Sequence, residues 1–147
     1  MWQKLIRTDD TVLAFVLRLS LGIVMFPHGA QKLLGWFGGR GFHGNIELFH
    51  QLGFSTTVAV LVTIGEFFGG VGLIVGLLSR GAAAGIGIIM VGAVLTVNGQ
   101  FGFFMNWAGN QVREGFEFHI LAVGLVIGIM ILGGGKWSID RVLTEKS

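Results

Sequence analysis

Four apolar runs alternate with polar, glycine-rich stretches along this chain. The runs read as about 11–34, 56–78, 82–97 and 116–132. A helix needs about 20 residues, at 1.5 Å each, to cross the hydrocarbon core of a bilayer. The first two runs reach that length. The third and fourth are shorter, and their outer ends are expected to run on into the adjoining polar loops. In the first loop, 35–55, Ile46, Phe49 and Leu52 recur at helical spacing, which predicts a short helix over 45–52 lying at the membrane surface. The second loop, 98–115, carries Phe101, Phe103, Phe104 and Trp107. Ser79-Arg80-Gly81 reads as a tight turn between the second and third runs. Gly133 to Gly135 ends the fourth, and Trp137 can sit at headgroup level. Ser138–Ser147 reads as a charged tail, a last helical turn followed by disorder. Pro27 is expected to kink the first helix, because it has no N–H to give the ladder. The pattern predicts an all-α, four-helix transmembrane bundle with a short interfacial helix, the whole of 1–147 forming a single transmembrane domain.

The first run follows Lys4 and Arg7, as a signal peptide would. It is too long for such a segment, and no small-x-small cleavage site follows it. A retained helix is expected. Glycine pairs four apart, Gly65/Gly69, Gly72/Gly76, Gly81/Gly85 and Gly124/Gly128, have the spacing that lets helices approach closely. Basic residues set the orientation. Lys4, Arg7, Arg80, Lys136, Arg141 and Lys146 fall on one side, against Lys32, Arg40 and Arg113 on the other. The richer side is expected to be cytoplasmic, with both termini there and both long loops outside.

Single charges interrupt the apolar runs. Arg18 lies inside the first and Glu66 inside the second. A charge in lipid costs at least a few kcal/mol, and such residues face a bundle interior or a cavity. At 100° per residue, Lys32 lies about 40° and His28 about 80° from Arg18. The first helix therefore offers a basic stripe. Counted from the outer helix ends, Glu66 lies about 15 Å deep and Arg18 about 24 Å. The gap of about 9 Å is within reach of two long side chains, so an Arg18–Glu66 pair and a His28–Glu66 pair are both open. Lys32 is expected to meet Glu117, since both lie near the outer end. His119 follows Glu117 by two residues and so points about 200° away from it. Arg18, His28, Lys32, Glu66, Glu117 and His119 form the candidate polar pocket. Its charges either serve a ligand or proton path, or are ion pairs that hold helix register.

Composition narrows the chemistry. The chain is 52% hydrophobic and 12% charged, with mean hydropathy +0.77. Soluble domains carry about 25% charged residues. There is no cysteine, which excludes disulfides, thiolate metal sites and cysteine redox chemistry. Net charge is only +2, with no Lys/Arg run to track nucleic acid phosphates. The four histidines, His28, His43, His50 and His119, lack zinc spacing, so no metal site is expected. Only His28 and His119 have the placement for bis-histidine haem. The G-x-G strings lie in apolar helices without the strand context of a nucleotide site. The aromatic loop serves either as an interfacial anchor or as a mouth that admits a flat lipid-soluble molecule such as a quinone. His28, Lys32 and Trp107 are the candidate contacts for its head, which needs hydrogen-bond donors.

Several short motifs occur in order along nearly the whole chain. They are Arg18-Leu-Ser-Leu-Gly22, Phe26-Pro-His-Gly29, Lys32-Leu-Leu-Gly35, Gly65-Glu-Phe-Phe-Gly-Gly70, Leu77-Leu-Ser-Arg80, Glu117 and Gly133-Gly-Gly-Lys-Trp-Ser-Ile-Asp140. In this series the chain resembles the DoxX family of small four-helix membrane proteins. The resemblance implies a link to membrane oxidoreductase complexes or to oxidative stress, since the family takes its name from a subunit of a thiosulfate:quinone oxidoreductase. The family's motif positions correspond to Arg18, His28, Lys32, Glu66 and Glu117. Without cysteine or a nucleotide motif, any electron transfer requires a bound quinone, a soluble redox enzyme or another membrane subunit. The expectation is an inner-membrane subunit that handles quinone-like molecules in contact with the lipid bilayer. The alternatives are a non-enzymatic scaffold or assembly factor, and a small transport protein, for which homo-oligomers would have to supply the pore.

Overall fold

A computed structural model of the protein describes residues 6–145. Its helices are α1 (Val12–Leu33), α2 (Gly41–Gln51), α3 (Thr56–Val75), α4 (Ser79–Thr96), α5 (Glu117–Leu132) and α6 (Ile139–Glu145). Two 3-10 turns, Trp36–Gly38 and Asn98–Phe101, lie in the long loops, and no strand occurs among the described residues. Thr11 starts α1 by accepting from Ala14 N at 3.2 Å, and Ser55 starts α3 by accepting from Val58 N at 3.4 Å. Each hydroxyl satisfies one of the orphan donors at a helix start. α1 runs as one helix through Pro27.

The long helices form a closed antiparallel ring, α1 against α3, α3 against α4, α4 against α5 and α5 against α1. Leu21, Met25, Leu73, Ala83, Ile86, Met90, Ala122, Val126 and Ile129 fill its centre. The two long loops sit together at one end of the bundle, the loop end. The α3–α4 turn and the chain after Leu132 sit at the other, the turn end. α2 packs across α1 and α3 at the loop end. It begins at Gly41, earlier than Asn45, and its buried Asn45 donates to Thr63 Oγ1 at 2.8 Å.

α1, α3 and α4 are each long and apolar enough to cross a membrane, and α5 is a shorter apolar helix of 16 residues. Leu61, Ile88, Leu95, Leu121 and Ile131 are all more than 60% exposed around the outside, whereas Arg18, Thr63 and Glu66 are buried within. Apolar groups outside and charges inside suit lipid as the solvent. The fold is that of a multi-pass helical membrane bundle.

Glycines set the helix spacing, though not all the expected pairs take part. A Cβ on Gly29 would overlap the Phe67 backbone, and one on Gly70 would lie 2.7 Å from Phe26 N. The α1 and α3 backbones therefore touch at Gly29 and Gly70. Gly65 and Gly69 face Ile89 and Ile86 of α4, and Gly128 faces Leu17. Gly81, Gly85 and Gly124 meet nothing within 4 Å, so the Gly81/Gly85 pair is not a helix contact and only one glycine of Gly124/Gly128 is.

Three expected boundaries shift. Ser79-Arg80-Gly81 is the first turn of α4 rather than a loop. The reversal falls earlier, at Gly76 (φ 72°) and Leu78 (φ 51°), because Asp140 accepts from Leu78 N and Ser79 N and so caps α4 there. Accordingly α4 lengthens at the turn end, not toward the loop. α5 does not lengthen either, since Phe103 O accepts from Phe116 N and Glu117 N at its start. The helical turn expected in the tail is α6, and Ser138 and Asp140 are buried where it docks onto the bundle. Lys4 and Lys146, counted in the charge asymmetry, lie outside the described residues.

Candidate functional site

The six candidate polar residues fall in three places. At the loop end, Lys32 on α1 forms an ion pair with Glu66 Oε2 on α3. The Glu66 side chain is 4% exposed and that of Lys32 27%. Helical side chains lean toward the N-terminus of their own helix. Lys32 therefore leans into the bundle, while Glu66 on the antiparallel α3 leans up toward the loop end, and the two meet. His28 lies one turn below Lys32, within electrostatic reach of both Glu66 and Lys32. It is exposed at the α1–α5 seam, its ring 6.1 Å from Phe118. His119 is buried beside Phe118, with ring centroids 5.6 Å apart, and its imidazole lies against the Phe116 backbone.

Arg18 belongs to a separate cluster at the turn end and does not pair with Glu66. Gly29, not a residue near Arg18, is the α1 residue level with Glu66. Eleven residues separate Gly29 from Arg18, about 16 Å along the axis. The expected 9 Å came from aligning the outer helix ends, whereas Gly29 and Gly70 set a different register. Fully buried Arg18 donates instead to Leu73 O and Ile74 O, both at 2.7 Å, to Gly134 O at 2.6 Å, to Lys136 O at 3.3 Å and to Trp137 O at 2.8 Å. Its guanidinium also lies 5.0 Å from the Phe15 ring. It thereby satisfies orphan carbonyls at the end of α3. Arg80 does the same for α5, donating to Met130 O at 2.8 Å and Ile131 O at 2.9 Å. Asp140 completes the set, its oxygens accepting from Leu78 N at 2.7 Å and Ser79 N at 2.8 Å.

Glu117 lies in neither cluster, and its pairing with Lys32 does not form. Its Oε1 accepts from Met105 N and from the Trp107 indole N–H, both at 2.9 Å. The carboxylate pins the aromatic loop and sits in the first turn of α5, where negative charge suits the helix dipole. Trp107 is 85% exposed at this clamp, so its N–H is committed to Glu117 rather than to a ligand.

Chemically, the loop-end cluster offers a cation held by a buried carboxylate and two imidazoles with no hydrogen bond to another side chain. It can bind a polar head and donate hydrogen bonds or protons to it. Among the described residues no three His, Asp or Glu come together as a metal cage would require. Sequence reasoning missed Asp140, Arg80 and the Asn45–Thr63 bond. Asp140 closed the last motif of the series, yet a carboxylate in a polar tail carries no local sign of burial.

The chain matches the family model DoxX over residues 13–99. That segment includes Arg18, His28, Lys32 and Glu66, and excludes Glu117 and His119. It is also similar to a protein named "Putative oxidoreductase CatD" from Bacillus subtilis (strain 168), with 30% identity over 91 residues. The alignment covers 62% of this chain and 63% of that protein, so the match spans less than two thirds of the relative's length. No solved structure matches the chain significantly. With the family model covering well over half of its length, the chain belongs to the DoxX family.

Proposed function

We propose that the protein is a membrane subunit of an oxidoreductase system, handling quinone-like, lipid-soluble molecules at the loop end of the bundle. The Lys32–Glu66 pair, with its carboxylate buried, carries this reading. A charge pair inside an apolar bundle is costly to maintain, and such pairs mark sites. Lys32 and His28 donate hydrogen bonds to a carbonyl head. Glu66 orients Lys32, and His28 at the seam relays protons. The chain lacks cysteine, so the electrons come from or go to a partner, a soluble redox enzyme or another membrane subunit. The name of the Bacillus relative supports an oxidoreductase setting. We place the protein in the cell membrane with both termini cytoplasmic, following the excess of basic residues on that side.

The test is purification in mild detergent followed by lipid extraction and absorbance. A co-purifying quinone that is lost from a folded Glu66→Gln variant supports the reading. Its absence from the wild type removes it. One observation favours a scaffold instead: Arg18, Arg80 and Asp140 are all engaged in capping helix ends. For a scaffold, no quinone co-purifies and Glu66→Gln captures the same partners as the wild type.

A further inference from the structure

At 4% exposure the Glu66 carboxylate is out of reach of a bound head while the loop end stays closed. The element that closes this end is α2. On α3, Ala59, Thr63 and Glu66 are buried along one face, with Ala59 and Thr63 nearer the loop end. Gly29 of α1 lies against Phe67 of α3, so α1 ends at Leu33 about level with Thr63. Ala59, one turn further out, is therefore covered by α2, which packs across α3 there. Asn45 Nδ2 of α2 donates to Thr63 Oγ1 at 2.8 Å, one turn above Glu66.

α2 is held unlike most surface helices, which bury an apolar stripe. Its one buried side chain is Asn45, while Phe42, Ile46, Leu48 and Phe49 are half-buried. The innermost contact is thus a neutral hydrogen bond, whose net worth is small because water offers the same bonds. Gly41 (φ 69°) and Gly53 (φ 84°) bracket the helix in left-handed backbone, where glycine turns freely. A Cβ on Gly53 would meet nothing within 4 Å, and one on Gly41 nothing closer than 3.7 Å. The chain just before α2 is fixed, because Gly39 is seated on the Gln31 backbone of α1. His50 bonds Thr56 Oγ1 at 2.9 Å across the Gly53 turn, which ties that end and leaves the Asn45 end to swing.

We propose that α2 is a hinged cover over the Lys32–Glu66 site, latched by the Asn45–Thr63 bond, and that a polar head reaches the Glu66 carboxylate when the latch breaks. The inference rests on the site reading above and adds how the site is entered. Lifting α2 breaks one buried hydrogen bond and moves half-buried apolar side chains into the headgroup layer, where an amphipathic helix is at home. The same movement frees the Asn45 amide and the Thr63 hydroxyl, which add donors and acceptors at the mouth of the site. The ion pair need not move, since its two helices touch at Gly29 and Gly70.

The chain has no cysteine, so a single introduced one reports alone. In lipid nanodiscs, Ala59→Cys beneath α2 is expected to react with a water-soluble methanethiosulfonate, and Ala122→Cys in the bundle centre is not. Asn45→Ala is expected to speed the Ala59→Cys reaction roughly five- to tenfold, the scale of one hydrogen bond, and to leave Ala122→Cys unchanged. If Ala59→Cys does not fold, spin labels at the exposed His43 and Leu95 are expected to show two separations whose ratio Asn45→Ala shifts. Ala59→Cys that reacts no faster than Ala122→Cys overturns the cover, as does a single separation that Asn45→Ala leaves unchanged. A labelling rate indifferent to Asn45→Ala overturns the latch. None of these readouts needs a quinone. A short-chain naphthoquinone, added last, is expected to slow Ala59→Cys labelling saturably, and not in the Glu66→Gln background. Opening without that protection keeps the cover and counts against the quinone reading.

Discussion

Lys32 and Glu66 are unequal partners, and their difference in exposure decides what each contributes. The Glu66 carboxylate is 4% exposed, while the Lys32 ammonium reaches the loop end at 27%. Lys32→Met strands a buried charge, whereas Glu66→Gln leaves an amine that can turn toward water. Lys32→Met is expected to destabilise by about 1–3 kcal/mol, below the range for fully enclosed pairs, and Glu66→Gln by less. Thermal unfolding in mild detergent measures both, and equal losses would contradict this account. The residue types at this site were legible in the sequence, because a charge inside an apolar run announces itself. The partners were not. Arg18 and Glu66 looked close enough to pair, yet they lie about 16 Å apart along the bundle, because the backbone contact at Gly29 sets a register that helix ends do not reveal.

At the scale of the element, glycines separate into those that touch backbone and those that touch nothing. Gly29 lies against the Phe67 backbone, so Gly29→Ala must push α1 from α3 and is expected to cost about 3 kcal/mol or more and to loosen the Lys32–Glu66 pair. Gly85 meets nothing within 4 Å, so Gly85→Ala is expected to stabilise α4 by up to about 1 kcal/mol. Paired unfolding measurements check the contrast, and a Gly29→Ala protein as stable as the wild type would refute the register argument. Helix spans were legible from apolar runs within a few residues. The start of α4 was not, because its cap is supplied by Asp140, sixty-two residues from Leu78. Asp140→Ala is expected to cost about 2–3 kcal/mol through loss of two charge-assisted bonds, and Asp140→Asn about half of that. Protection of the α4 first-turn amides in hydrogen exchange should fall in the same order.

Across the whole molecule, the start of α1 and the docked α6 both lie at the turn end of the four-helix ring. Reporter fusions at residue 147 and in loop 98–115 are expected to give opposite localisation signals, with the terminus cytoplasmic. Matching signals would break the four-span topology. This architecture was the most legible level, since apolar length and loop polarity dictate it. What the pattern did not reveal was that the chain after Leu132 packs back onto the turn end of the ring. Arg18 is held by carbonyls at 73, 74, 134, 136 and 137. Translation reaches the last of these on the order of ten seconds after Arg18 has been made. Until then Arg18 has at most the carbonyls of Leu73 and Ile74, which are made earlier. The Arg18 site is thus expected to stay incomplete until residues 134–137 have been synthesised, however early the helices enter the bilayer.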